Sequence, residues 1–259
     1  MDMNLQSKKA LITGASFGLG KAAALALASE GCGLYINSRN IDSLHQAAAE
    51  IKAKTGIIPV CIDADVATLE GIEKIQNQIA EIDILVSNAG GPPPGKFLSH
   101  TDSAWTESLE LVLNSARRLT VLFLEGMVKR SYGRLIYITS VGVLQPIDDL
   151  VLSNTYRAGV TGMCKTIANT YAKFGITANC VCPGFTATER LKRLAKSRGE
   201  EMGKSPETII ESFTAKIPAG RIGRPEELAA LITFLASEKA AYITGTSIPV
   251  DGGFVQSLI

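Results

Sequence analysis

The sequence has little of what metal, nucleic-acid or membrane chemistry requires. There are only two histidines, His45 and His100, and they stand far apart. The five cysteines, at 32, 61, 164, 180 and 182, contain no C-x-x-C pair. Neither residue type shows metal-ligand spacing, so no metal site is expected. An odd number of cysteines without that framework predicts free, buried thiols in a reducing compartment. Cys180 and Cys182 alternate, which on a strand places both on one face. Charge of one sign is also missing: 26 Lys and Arg against 25 Asp and Glu leave a formal net charge of +1. That balance lacks the basic footprint of a nucleic-acid binder and gives no reason to expect an anionic membrane as partner. The run from Ala22 to Ala28 falls far short of the roughly 20 apolar residues that span a bilayer. Residues 1–9 contain no apolar stretch, so no secretory leader is expected and a soluble, cytoplasmic protein is predicted. No Pro-, Gly- or Ser-rich linker and no repeat divides the 259 residues. One domain over 1–259 is expected, large enough to hold a core without covalent staples.

What is present is a steady alternation of short apolar runs with longer helical stretches. Strands are expected at 9–13, 34–37, 57–62, 83–87, 134–139, 176–182 and 247–250. Helices are expected at 19–30, 42–54 (with Asp42 as N-cap and Gly56 beyond its end), 68–81, 102–130, 154–174 and 225–237. Alternation of this kind means βαβ crossovers: an α/β Rossmann-type fold with a doubly wound parallel sheet and helices on both faces. The stretch 189–217 breaks the rhythm, being charged and without a strand. It reads either as a substrate cover or as a plain surface helix pair.

Thr13-Gly14-Ala15-Ser16-Phe17-Gly18-Leu19-Gly20 stands between the first strand and the first helix. Glycines there let backbone approach a ligand, and a helix N-terminus offers free N–H groups to a diphosphate. The glycine spacing misses G-x-G-x-x-G, and Ala15 and Ala22 break the Walker pattern. The segment instead resembles the T-G-x-x-x-G-x-G turn of the short-chain dehydrogenases/reductases, and the resemblance extends over nearly the whole chain. Asp65-Val66 is similar to the family's adenine-side contact, and Asn88-Ala89-Gly90 to its N-A-G turn. Asn114 stands where the family has a structural and proton-relay Asn. Ser140 stands where it has a catalytic Ser. Pro183-Gly184, with Thr186 and Thr188, resembles the P-G-x-x-x-T segment that holds the nicotinamide carboxamide. The tail, from Ile217-Pro218-Ala219-Gly220-Arg221 to Val250-Asp251-Gly252-Gly253, is similar to reductases of the 3-oxoacyl-acyl-carrier-protein type.

The resemblance implies a nicotinamide cofactor bound by Gly14, Ser16, Phe17, Gly18, Leu19 and Gly20, together with the residues just named. It also implies a small-molecule substrate and, through the long helices at 102–130 and 154–174, a homotetramer. Strand two ends in Asn37-Ser38-Arg39-Asn40, with no carboxylate to repel a 2′-phosphate. Arg39 can clamp such a phosphate, which predicts NADP(H) in preference to NAD(H); a solvated Arg39 is the alternative.

One family feature is missing. The chain contains no Tyr four residues before a Lys. Aligning the family pattern on this region sets Ser153 at the Tyr position and Arg157 at the Lys position. An aliphatic hydroxyl is a far weaker acid than a phenol, and a guanidinium keeps its charge but cannot pass a proton. Tyr156, on the same helix face as Ser153, is a second candidate acid, unless it packs against the sheet or a partner subunit. Two functions therefore stand. One is an NADP(H)-dependent oxidoreductase on a carbonyl or alcohol, possible substrates including 3-oxoacyl compounds. The other is a nucleotide-binding sensor or assembly partner that has lost turnover. Gly91 to Gly95, with three prolines, reads as a pre-ordered cleft wall or only a stiff connection. Phe97, Leu98, Leu144 and Pro146 hint at an apolar substrate. Arg190, Lys192, Arg193, Lys196 and Arg198 attract an anionic substrate or simply form a solvated helix face.

Overall fold

The computed structural model describes residues 2–258. Its strands are β1 (Lys9–Ile12), β2 (Gly33–Ser38), β3 (Val60–Asp63), β4 (Ile84–Ser87), β5 (Gly133–Ile138), β6 (Ile176–Pro183) and β7 (Ser247–Val250). All pair in parallel, in the order β3-β2-β1-β4-β5-β6-β7. The order reverses beside β1, and the carboxyl ends of β1 and β4 open the crevice in which ligands of such sheets sit.

Alternation along each strand makes both faces apolar. Leu11, Leu85, Leu135 and Tyr137 point into one core, and Ala10, Ile12, Ile84, Val86 and Ile136 into the other. The first core is closed by α3 (Leu69–Gln78), α5 (Ser115–Lys129) and α6 (Val151–Tyr171). The second is closed by α1 (Gly18–Ser29), α2 (Ile41–Thr55) and α9 (Pro225–Ala236). Cys180 and Cys182 share the first core while Val181 enters the second, as period-2 geometry requires. All five cysteines are free, and four are buried.

Several boundaries differ from the sequence expectation. The N-cap of α2 is Asn40, whose Oδ1 accepts from the Ser43 N–H at 2.9 Å, so Asp42 falls in the first turn. The edge strand β3 begins only after Pro59, which cannot donate to a ladder. The helix expected over 102–130 is two helices, α4 (Asp102–Leu109) and α5, joined by a wider π-helical turn at Glu110–Asn114. The next helix begins at Val151, so Ser153 lies in its first turn rather than before it.

The segment 189–217 folds as α7 (Glu189–Met202) and α8 (Pro206–Thr214). They hold a small cluster of their own, Leu191, Ala195, Ile209 and Phe213, with Phe185 stacked on Phe213 at 4.5 Å. Among the described residues no helix is long and apolar enough to cross a membrane.

Candidate active-site cleft

A cleft of about 500 Å³ runs along the carboxyl edge of the sheet, under α7. At one end the turn after β1 is tied to the turn after β4. Thr13 Oγ1 donates to the Asn88 carbonyl at 2.8 Å and accepts from the Asn88 N–H at 2.9 Å. The Asn88 amide reaches the carbonyls of Thr13 and Gly14, each at 3.3 Å. Gly14 has φ +59°, and a Cβ there would stand 2.7 Å from Asn88 Nδ2, so only glycine fits. Gly14, Ser16, Phe17, Gly18 and Leu19 line the cleft beside the N-terminus of α1. Gly20 does not; it packs the helix against the Gly14 carbonyl. Asn88, Ala89 and Gly90 form the opposite side.

Arg39, Asp65 and Val66 line the same end, with Asn37 and Ser38. Asn37 is buried, and its amide spans the carbonyls of Ile62 (2.9 Å) and Ala64 (3.0 Å), fixing the ends of β2 and β3. Arg39 is 71% exposed in its side chain, held only by a loose 3.8 Å pairing with Asp65, and so is free to turn to a ligand.

The other end is built from β5, α6 and the turn after β6. Ser140 follows β5, and its Oγ accepts from the Gly142 N–H at 3.0 Å. Ser153 and Arg157 are buried and both face the cleft. The Arg157 Nε donates to Ser153 Oγ at 3.2 Å, and Nη1 donates to the Ile138 carbonyl at 2.7 Å. Burial, and secondarily the charge of Arg190, pull the Arg157 pKa down to about 10, which still leaves it protonated at neutral pH. Pro183, Gly184, Thr186 and Thr188 close this side. Thr188 caps α7 through the Leu191 N–H (3.4 Å) and leans over Gly18.

Tyr156 and Asn114 are placed elsewhere. The Tyr156 ring lies edge-on to Trp105, with centroids 5.9 Å apart, and is absent from the cleft walls. The Asn114 side chain donates to Glu110 Oε1 at 2.7 Å and is likewise outside the cleft. Gly91 lines the cleft, but the prolines after it do not, nor do Phe97 and Leu98. Arg190 and Arg193 do line it, whereas Lys192 turns away to Glu189 at 2.7 Å. Their i, i+3 spacing on α7 was visible in the sequence; which face of the helix looked inward was not.

The glycine turn, the reversal of strand order and the Ser140 edge place the chain among Rossmann-type α/β proteins. The model of the family described as enoyl-(acyl carrier protein) reductase matches residues 14–255, and the chain belongs to this family of short-chain dehydrogenases/reductases. The 3-oxoacyl-(acyl-carrier-protein) reductase of Escherichia coli is 34% identical over 252 residues, covering 97% of this chain and 98% of that protein. The acetoacetyl-CoA reductase of Shinella zoogloeoides is 33% identical over 250 residues, covering 95% and 98%. The L-sorbose reductase of Gluconobacter frateurii, solved with NADPH and L-sorbose, superposes with a TM-score of 0.94 at 33% identity over 100% of both chains.

Proposed function

We propose that the chain is an NADP(H)-dependent oxidoreductase acting on a small-molecule carbonyl or alcohol, with 3-oxoacyl compounds among the candidate substrates. One observation carries this reading. A single cleft joins a glycine turn at a helix N-terminus to the Ser140, Ser153 and Arg157 cluster. The residues fit the cofactor. The α1 N-terminus and the Gly14 to Leu19 backbone would take the diphosphate, and Asp65, Val66 and Asn88 to Gly90 the adenosine side. Pro183, Gly184, Thr186 and Thr188 would hold the nicotinamide end. Arg39, with no carboxylate at the end of β2, favours a 2′-phosphate, so NADP(H) over NAD(H). When bound, the nicotinamide supplies a hydride to, or accepts one from, the substrate carbon.

The protein's part is to manage the oxygen. Ser140 and Ser153 present hydroxyls to a carbonyl oxygen in the cleft. Arg157 donates into the Ser153 oxygen, which leaves the Ser153 proton free to point outward and strengthens it as a donor. Its fixed charge stabilises a developing oxyanion, but it cannot relay a proton as a Lys does. The pair Ser153 and Arg157 is thus an atypical proton-donor arrangement, stronger in electrostatic stabilisation than in acid catalysis. Tyr156, turned to Trp105, does not serve as the acid in this reading. The same reading includes a cytoplasmic homotetramer assembled through α5 and α6.

The test has two parts. NADPH and NADH are titrated into the protein, and a nicotinamide absorbance screen is run over 3-oxoacyl thioesters, sugars, steroids and simple ketones. NADPH binding with turnover on one class supports the enzyme. NADPH binding without turnover on any class supports the nucleotide sensor instead, and binding of neither nucleotide rejects both.

A further inference from the structure

Arg190 leaves the first turn of α7 and crosses the cleft to the backbone of Gly91, just past the Asn88 to Gly90 turn. The approach is close: a Cβ on Gly91 would stand 1.0 Å from Arg190 Nη1. Glycine at 91 is what leaves room for the guanidinium. Yet among the described residues the Arg190 side chain has no hydrogen bond and no ion pair.

Its charged neighbours are of the same sign. Arg193, one turn along α7, also lines the cleft, and its Nε has only a long 3.5 Å contact to the Glu189 carbonyl. Arg157 lies beneath, its protonation disfavoured by burial and then by the charge of Arg190, while Arg190 itself is solvent-exposed. The nearby acids are engaged. Glu189 lines the cleft too, but its carboxylate is paired with Lys192 at 2.7 Å, and Asp65 stands beside Arg39. Three guanidinium groups, those of Arg157, Arg190 and Arg193, therefore line the cleft, and the two acids on its wall are already paired with other cations. Arg190 reaches to Gly91 and lies close enough to Arg157 for their like charges to interact, which sets its guanidinium over the Ser153 and Arg157 wall.

We propose that Arg190, backed by Arg193, is the anion-recognition group of the substrate site. The substrate then carries an oxyanion, a carboxylate or a phosphate ester, within a side chain's reach of the reacting carbon. The Arg fork suits either anion bidentately. This inference rests on the nucleotide-oxidoreductase reading and narrows its substrates to oxo or hydroxy acids and their phosphorylated counterparts.

The experiment first titrates NADPH into the wild type and into Arg190→Gln and Arg190→Lys, followed by nucleotide fluorescence. Malonate, inorganic phosphate and neutral malonamide are then titrated into each NADPH complex by calorimetry. The expected result is NADPH affinity nearly unchanged in both variants. Malonate or phosphate should bind the wild type while malonamide does not. That binding should weaken by about ten-fold or more in Arg190→Gln and be partly kept in Arg190→Lys. Preference for malonate marks a carboxylate substrate, and preference for phosphate a phosphate ester. Equal binding of malonamide, unchanged anion binding in Arg190→Gln, or a loss confined to NADPH affinity each overturns the inference while leaving the oxidoreductase reading in place. Failure of the wild type to bind NADPH removes the oxidoreductase reading itself, and this inference with it.

Discussion

The Nε of Arg157 donates to the Oγ of Ser153 across one turn of α6, at 3.2 Å, inside a wall of the cleft. The first two turns of that helix thus supply both a hydroxyl and the cation that polarises it. In this arrangement Ser153→Ala should lower kcat by about 10²-fold with little change in NADPH affinity. Tyr156→Phe should leave kcat essentially unchanged, since the ring packs on Trp105. Steady-state rates on the first substrate found check both.

Installing a phenol beside an ammonium, as Ser153→Tyr with Arg157→Lys, should raise kcat by about 10²-fold or more if the Ser hydroxyl is the weaker acid. A pH profile of the double variant should show a new ionisation nearer neutrality. Ser153→Tyr alone should gain less, because the Arg157 fork remains bound to the Ile138 carbonyl.

Arg39→Ala should weaken NADPH binding by about ten-fold or more and leave NADH binding nearly unchanged, as loss of a phosphate clamp requires. Parallel titrations of the two nucleotides measure this. Equal losses for both would show that Arg39 does not read the 2′-phosphate.

Glu227 closes the start of α9, accepting from the Arg224 N–H at 2.7 Å and pairing with Arg221 at 2.6 Å. Its hydrogen bond from Arg221, then that from the Arg224 backbone, hold its pKa down to about 2 against an ordinary 4.5. A depressed carboxyl contributes stability above its unfolded pKa and loses it as pH falls through the folded one. Glu227→Gln should therefore be less stable than the wild type at neutral pH, and the gap should close between about pH 4.5 and 2. Thermal melts across that range check the direction; because the pair is solvent-exposed the effect is small.

Burial pushes the thiols of Cys32 and Cys182 up to about 12 and about 11. With Cys164 and Cys180 also buried, only the half-buried Cys61 should react with a disulfide reagent in the native protein. Its own thiol is raised by burial, so the reaction should be slow. Counting released chromophore before and after unfolding gives the ratio.

The sheet and most helices were legible because period-2 and period-3.6 patterns were long and clean, as Leu11 against Ile12 and Cys180 against Val181 illustrate. The π turn at Glu110–Asn114 carried no such mark, since it leaves the apolar spacing nearly intact. Asp42 is as good a cap by type as Asn40, two residues before it, and only the backbone decides between them. The cleft residues on the glycine turn, the Asn88 turn and the Pro183 to Thr188 stretch stood out as motifs. Asn37 gains its place from tertiary contact alone, and only tertiary contact separates Gly91, Arg190 and Arg193 from the rest of the proline loop and the basic run. Tyr156 had the spacing to reach Ser153, but Trp105 from α4 offers its ring a different neighbour.

The chain enters and leaves the α7–α8 region through a narrow clasp. The Gly223 N–H donates to the Phe185 carbonyl at 3.0 Å, and the Ala187 N–H donates to the Gly223 carbonyl at 2.8 Å. Beyond that clasp the two helices pack on each other and on Phe185 and Ile222, and Arg198 donates to the Asp148 carbonyl at 3.2 Å and the Ala219 N–H to the Gly252 carbonyl at 3.0 Å. The roof over Ser140 is therefore a cassette: its length and side chains can be rewritten between Ala187 and Gly223 while the register of the seven strands stays untouched.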